Sequence, residues 1–177
     1  MSWRCEACGA EHSGLATVFG SDSPWDWHVA SQARRDAGEL TPDVCFLPAE
    51  DPRDGTGYFL RGHVVIPLSE PVEGETSFAW SVWVALDGEA MQLVYDHWDD
   101  PARASLPPVF GWLRSNLPYQ PSTLDLRVQV HQREPGRVPL VEVDPTHGHP
   151  LGVEERDGIT PHRVAELNAL VLGVADA

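Results

Sequence analysis

The sequence predicts an α+β protein with a mostly antiparallel sheet of hairpins and short helices behind an N-terminal zinc-knuckle-like segment. Three observations carry that prediction. Phe78, Trp80, Val82, Val84 and Leu86 recur at period two, the spacing of one face of a strand. Leu124, Leu126, Val128 and Val130 alternate with Asp125, Arg127, Gln129 and His131 ahead of a Pro135-Gly136 turn. Thr160-Pro161 is a helix start, with the cap residue followed by proline at the first helical position.

Taken in order, residues 1–20 lack periodicity and are rich in Cys, Gly and His, which reads as a knuckle and loop. Ser21–Asp26 is turn-like, and Trp27–Arg35 is expected to form one short helix ended by Gly38. Ala49–Gly57, with Pro52, Gly55 and Gly57 among acids, reads as an exposed loop. Tyr58–Leu68 and Phe78–Leu86 are strands of one hairpin, joined by a loop over Ser69–Ser77. Trp80 belongs to the apolar face and Trp83 to the opposite one, while Trp25 and Trp27 are expected to pack a loop onto the sheet. Gly88–Trp98 is a short amphipathic helix, and the proline-punctuated stretch Pro101–Pro121 reads as irregular. If Pro135-Gly136 is a two-residue hairpin loop, Val128 faces Val143, Val130 faces Val141 and Arg127 faces Asp144, which puts the valines on one face. In the last helix Val164, Leu167, Leu170 and Val171 form a stripe that stops at Gly173.

At 177 residues the chain fits a single domain, in which a Cys/His-rich segment, 1–48, packs on an α+β core, 58–173. With 42% hydrophobic and 22% charged residues it has the composition of a folded chain rather than a disordered one. No apolar run approaches the roughly 20 residues of a membrane span, and the N-terminus has no apolar secretory segment, so a cytoplasmic protein is expected. The 27 acidic and 12 basic residues leave a net charge of −15, which disfavours nucleic acid and would draw a basic protein or cationic small molecule. Every basic residue is arginine, which excludes Schiff-base chemistry on lysine.

The sharpest chemical signal is Cys5-x-x-Cys8-Gly9: two thiolates on a tight turn can grip one tetrahedral zinc. His12 and Cys45 are the expected completions, with His28 and His63 as substitutes for the fourth ligand. The alternatives are two inert buried thiols or a redox pair, and a redox pair would sit at a helix start after a strand, which nothing before Cys5 provides. A filled four-ligand shell makes the zinc structural rather than catalytic. A second cluster, His147-Gly-His149 after Asp144, could converge with Asp125 and Arg127 at one strand end. Its bland reading is a solvated turn with an Arg–Asp pair.

As a set, these residues resemble the bacterial family DUF2199. The likeness runs through Cys5-x-x-Cys8-Gly9 with His12, Phe19-Gly20, Asp43-x-Cys45, Phe59-x-Arg61-Gly62, Trp80-x-Val82-Trp83-Val84 and Phe110-Gly-Trp-Leu113. It continues through His131-x-Arg133-x-Pro135-Gly136, His149-Pro150-Leu151 and Gly158-Ile159-Thr160. The resemblance implies a small bacterial protein with a zinc-ribbon-like start, and it favours His12 and Cys45 beside Cys5 and Cys8. Ala16 and the His147-Gly148 insertion depart from the pattern. Two functions stay open. One is a zinc-stabilised binding or adaptor protein. The other is a small enzyme in which Arg127 or Arg133 holds an anionic group while His131 or His149 moves a proton.

Overall fold

A computed structural model describes residues 3–5, 7–51 and 55–173. In order, these form β1 (Trp3–Arg4), β2 (Glu11–His12), β3 (Val18–Gly20), α1 (Trp25–Val29), α2 (Gln32–Asp36), β4 (Glu39–Leu40), β5 (Val44–Pro48), β6 (Thr56–Val72) and β7 (Glu75–Leu86). Then come α3 (Gly88–Asp96), β8 (Val109–Leu113), β9 (Arg127–His131), β10 (Leu140–Val143), α4 (Pro150–Asp157) and α5 (Pro161–Leu172). The loop expected over 49–57 falls partly on residues 52–54, outside the described residues.

The hairpin β6–β7 organises the fold. Its strands pair from Tyr58↔Leu86 to Pro67↔Ser77 and again at Val72↔Glu75. They are longer than expected, because the chain reverses at Glu73-Gly74, both at positive φ (50° and 90°). That geometry matches the twist of flanking strands. Pro71 does not stop β6, since it lies in the irregular stretch between Pro67 and Val72, where a ladder bond is already forgone.

β7 pairs with β8, β8 with β9 and β9 with β10, all antiparallel, and β10 then returns to β6 in parallel at Leu140↔His63. Strands β6–β10 therefore close a barrel, where a simple sheet of hairpins was expected. The correction has two sources. The stretch read as irregular contains β8, whose Val109, Gly111 and Leu113 point inward while Phe110 and Trp112 face out. The β6–β10 contact joins segments about 80 residues apart, which no local pattern announces. The expected β9–β10 register holds, with Val128↔Val143 and Val130↔Val141, but the strands end at His131 and Leu140 around a longer loop.

Leu60, Val64, Ile66, Trp80, Val82, Val84, Leu113, Val128 and Val141 fill the interior. Two glycines let the walls approach. A Cβ on Gly62 would lie 2.3 Å from a Val141 methyl, and one on Gly111 would lie 2.4 Å from a Val84 methyl.

Outside the barrel, Phe59 and Trp83 form a second core with Cys45, Leu47 and Ala30, and Trp27 packs against it. β5 adds to β6 at Cys45↔Phe59, and β4 adds to β5. The single helix expected over 27–35 is two short ones: Ala30 is extended, and Ser31 caps α2 through the Arg34 N–H. Arg114 clamps this cover to the barrel, bonding both oxygens of Asp26 at 2.7 and 2.9 Å while its carbonyl accepts from the Trp25 N–H.

α3 forms as expected behind its Asp87 cap, burying Met91 and Val94. α5 starts at Pro161 behind Thr160, also as expected, but buries Val164, Ala165, Leu167 and Asn168 while Leu170 and Val171 stay exposed. The polar Asn168 faces inward because it clasps the backbone of Ala16, accepting from its N–H and donating to its carbonyl at 2.9 Å each.

α4 places Glu155 against β10, where it accepts from the Val143 N–H at 2.8 Å. Burial pushes this carboxyl from its ordinary 4.5 to about 7; the Val143 N–H opposes the rise and Glu142 adds to it. Between those two values the folded chain holds a proton that the unfolded chain releases. The group's contribution is complete below about pH 4.5 and lost as pH rises through 7. Glu155→Gln should therefore gain about 3 kcal/mol over the parent at pH 8 and nothing at pH 4.5. Urea melts at the two pH values check this.

Candidate metal centre

β1 and β2 form a two-stranded ribbon with Trp3↔His12 and Arg4↔Glu11 in register. A turn at Ala7-Cys8 lies between them, closed by the Gly9 N–H to the Cys5 carbonyl and the Cys5 N–H to the Ala10 carbonyl, each 2.8 Å. Gly9 takes φ 74°, a left-handed conformation that glycine adopts without a Cβ clash. The turn sets Cys8 beside His12, Sγ to Nε2 3.3 Å.

The fourth member comes from the far end of the chain. His162, in the first turn of α5, lies with Nδ1 3.3 Å from Cys5 Sγ. One donor atom each from Cys5, Cys8, His12 and His162 falls within 4.8 Å of every other. Atoms bonded to one tetrahedral ion at about 2.0–2.3 Å stand about 3.5 Å apart. The group therefore could hold a metal ion. Burial opposes ionisation of Cys5, but the backbone N–H groups of Cys8 and Ala7, with Cys8 and His162, prevail and lower its pKa. A thiolate is the form that binds metal.

His162 is held from behind. Its Nε2 lies 3.4 Å from Glu166, one helical turn on, which takes an N–H of Arg163 at 3.0 Å. Arg163 also bonds Glu154 at 2.8 Å, and Glu154 accepts from the Tyr119 hydroxyl, which in turn accepts from the Trp80 indole N–H. A continuous chain of contacts thus runs from the barrel interior to the cysteines. A carboxylate behind a ligating histidine fixes its tautomer and orientation.

Cys45, the expected fourth ligand, is elsewhere. It is fully buried beside Phe59 and Trp83, and burial, aided by Asp26, pushes its thiol up to about 12. Strand pairing to Phe59 fixes it in that second core. Of the two substitutes, His28 stacks near Trp25, and His63 lies on β6 with its pKa lowered by burial and by Arg61 and Arg133. Sequence reasoning missed His162. Thr160-Pro161 does place it in a first helical turn, but nothing local says that this turn faces the knuckle.

The second predicted cluster is dispersed. Arg127 meets Asp144 at 3.5 Å, as the register required, and stacks over Phe110. His131 meets Glu142 at 2.8 Å, and Arg133 reaches the Val138 carbonyl. His149 is buried as the cap of α4, bonding the Leu151 N–H and the Pro121 carbonyl. Asp125 pairs with Arg114 instead of joining them. The His147 side chain lies outside the described residues.

The fold and this site define an α+β protein with a closed five-stranded barrel and a Cys₂His₂ group that could hold a metal ion. The chain belongs to DUF2199, a family of uncharacterised proteins conserved in bacteria, whose profile matches residues 4–159. Cys5, Cys8 and His12 lie within that span, and His162 lies just beyond it. No curated protein and no solved structure matches the chain. Among the described residues no helix is long and apolar enough to cross a membrane.

Proposed function

We propose that this protein is a zinc-stabilised binding protein in which Cys5, Cys8, His12 and His162 hold a structural zinc. One observation carries the reading: four thiolate and imidazole donors from two distant segments converge within 4.8 Å. Two thiolates and two imidazoles suit zinc, and four protein ligands leave no open position for a substrate. The ion ties the N-terminal ribbon to the start of α5. The barrel and its cover are then free to serve as a recognition surface, and the net charge of −15 favours a basic partner.

Cobalt(II) added to metal-free protein tests the site. One equivalent should give the intense visible bands of a tetrahedral ion with thiolate ligands. Weak octahedral bands, or no saturation at one equivalent, would contradict a closed Cys₂His₂ shell. The partner reading is tested with an arginine-rich peptide: binding should weaken steeply between 50 and 500 mM salt, and salt-independent binding or none argues against it.

A further inference from the structure

Arg114, Arg127, Arg156 and Arg163 of this acidic chain each pair with a carboxylate. A group on one side of the barrel differs. Arg61, Arg103 and Arg137 line one recess of about 110 Å³, together with Trp98 and Asp43. Among the described residues none of the three forms an ion pair.

Arg103 is the unusual member. It is 2% exposed, yet its guanidinium has only neutral partners: Nε donates to Gln132 Oε1 at 3.0 Å, and Nη1 donates to the Trp98 carbonyl at 3.2 Å. The head lies over the Trp98 ring, 4.5 Å from its centre, and Trp98 itself lines the recess. Nη2 is buried with no acceptor, and so is Nε2 of the bonded Gln132. Each is a buried donor left over, which is costly, and of the two residues only Arg103 lines the recess. Asp43 and Asp99 offset part of the desolvation of Arg103 without pairing with it. Arg61 is preset as well, with Nε on Ser81 Oγ at 2.7 Å and Nη1 on the Pro42 carbonyl at 3.1 Å.

We propose that this recess binds a phosphate-class oxyanion, with Arg103 as its buried anchor. Three arginines against Asp43 leave the lining at +2, which matches a dianion better than a single carboxylate. A volume of about 110 Å³ equals three or four waters at ~30 Å³ each, enough for one tetrahedral group but not for a large ligand body. Planar guanidinium forks suit phosphate oxygens, and Asp43 can accept the remaining proton of hydrogen phosphate. Arg137 is exposed on the β9–β10 loop and also lines the recess.

Inorganic phosphate is the probe, with chloride and acetate at equal ionic strength as comparison arms. The His63 backbone N–H donates to the carbonyl of Pro139, a lining residue, at 2.9 Å, and its ring feels the charge of Arg61, so its ring resonances report binding. Phosphate should shift them saturably and raise the melting temperature, while chloride and acetate should not. Arg137→Gln, which breaks no contact of the fold, should weaken phosphate at least tenfold, and Arg156→Gln on α4 should leave it unchanged. Arg103→Gln should abolish binding; if that variant fails to fold, Arg137→Gln still decides. The proposal is overturned if millimolar phosphate leaves His63 unmoved, if chloride or acetate acts equally, or if Arg137→Gln binds like the parent. The first of these results would assign the leftover donors to buried water.

Discussion

Cys5→Ser should strip the metal from the chain and lower its melting temperature by about 10 °C or more. An ion held as proposed would contribute to stability because the unfolded chain cannot hold its four ligands together, so binding free energy would become folding free energy. The lever is long: His162 stands against a turn some 150 residues earlier in the sequence. Cys5 is the buried member of the group, and its sulfur receives the backbone N–H groups of Ala7 and Cys8. Serine offers neither a thiolate nor the same size, and it leaves His162 with no partner in front of it. Excess chelator on the parent should reproduce the shift, and zinc should reverse it in the parent alone. Loss of hydrogen-exchange protection should centre on β1, β2 and the first turn of α5. The Asn168 clasp on Ala16 and the β3–β7 pairing should keep the following segment in place. A variant that melts like the parent and ignores chelator would show that the group holds no stabilising ion.

Trp83→Ala is the second large effect expected, at about 3–5 kcal/mol, roughly 10 °C in melting temperature. Trp83 has no exposed surface, though it lies outside the barrel on the opposite face of β7 from Trp80. It fills the second core with Phe59, Cys45 and Leu47, and its indole N–H donates to the Ser21 carbonyl at 3.0 Å. Its removal leaves a cavity under the cover of residues 25–48 and frees the loop before α1. The expected signature is selective, with residues 21–48 exposed to protease while the barrel interior stays protected. Loss of protection throughout the barrel would mean that cover and barrel fold as one cooperative unit.

These expectations mark how much of the molecule was legible. The β9–β10 pairing could be read to the residue, because alternation on both strands and a Pro-Gly turn demand the same register. The same arithmetic gave the Arg127–Asp144 pair. Trp80 and Trp83 were assigned to opposite faces by period two alone, and each face proved to have a core of its own. β8 was hidden by the prolines around it, although Val109, Gly111 and Leu113 carry the alternation. Barrel closure was not legible, since the parallel β6–β10 contact depends on how the intervening strands curl. At the metal centre, spacing alone gave Cys5, Cys8 and His12, which sit on one ribbon. The fourth donor depends on where a helix about 150 residues away docks. Cys45 looked eligible by residue type, but burial beside Phe59 and Trp83 holds its thiol protonated.

The most direct test is the zinc content per chain of untagged protein purified without chelator, measured for the parent, His162→Ala and Cys45→Ala. A structural Cys₂His₂ site predicts about one zinc in the parent and in Cys45→Ala, and a large loss in His162→Ala with Cys8→Ser alongside as the reference for loss. No zinc in a folded parent, or zinc kept by His162→Ala and lost from Cys45→Ala, would contradict it.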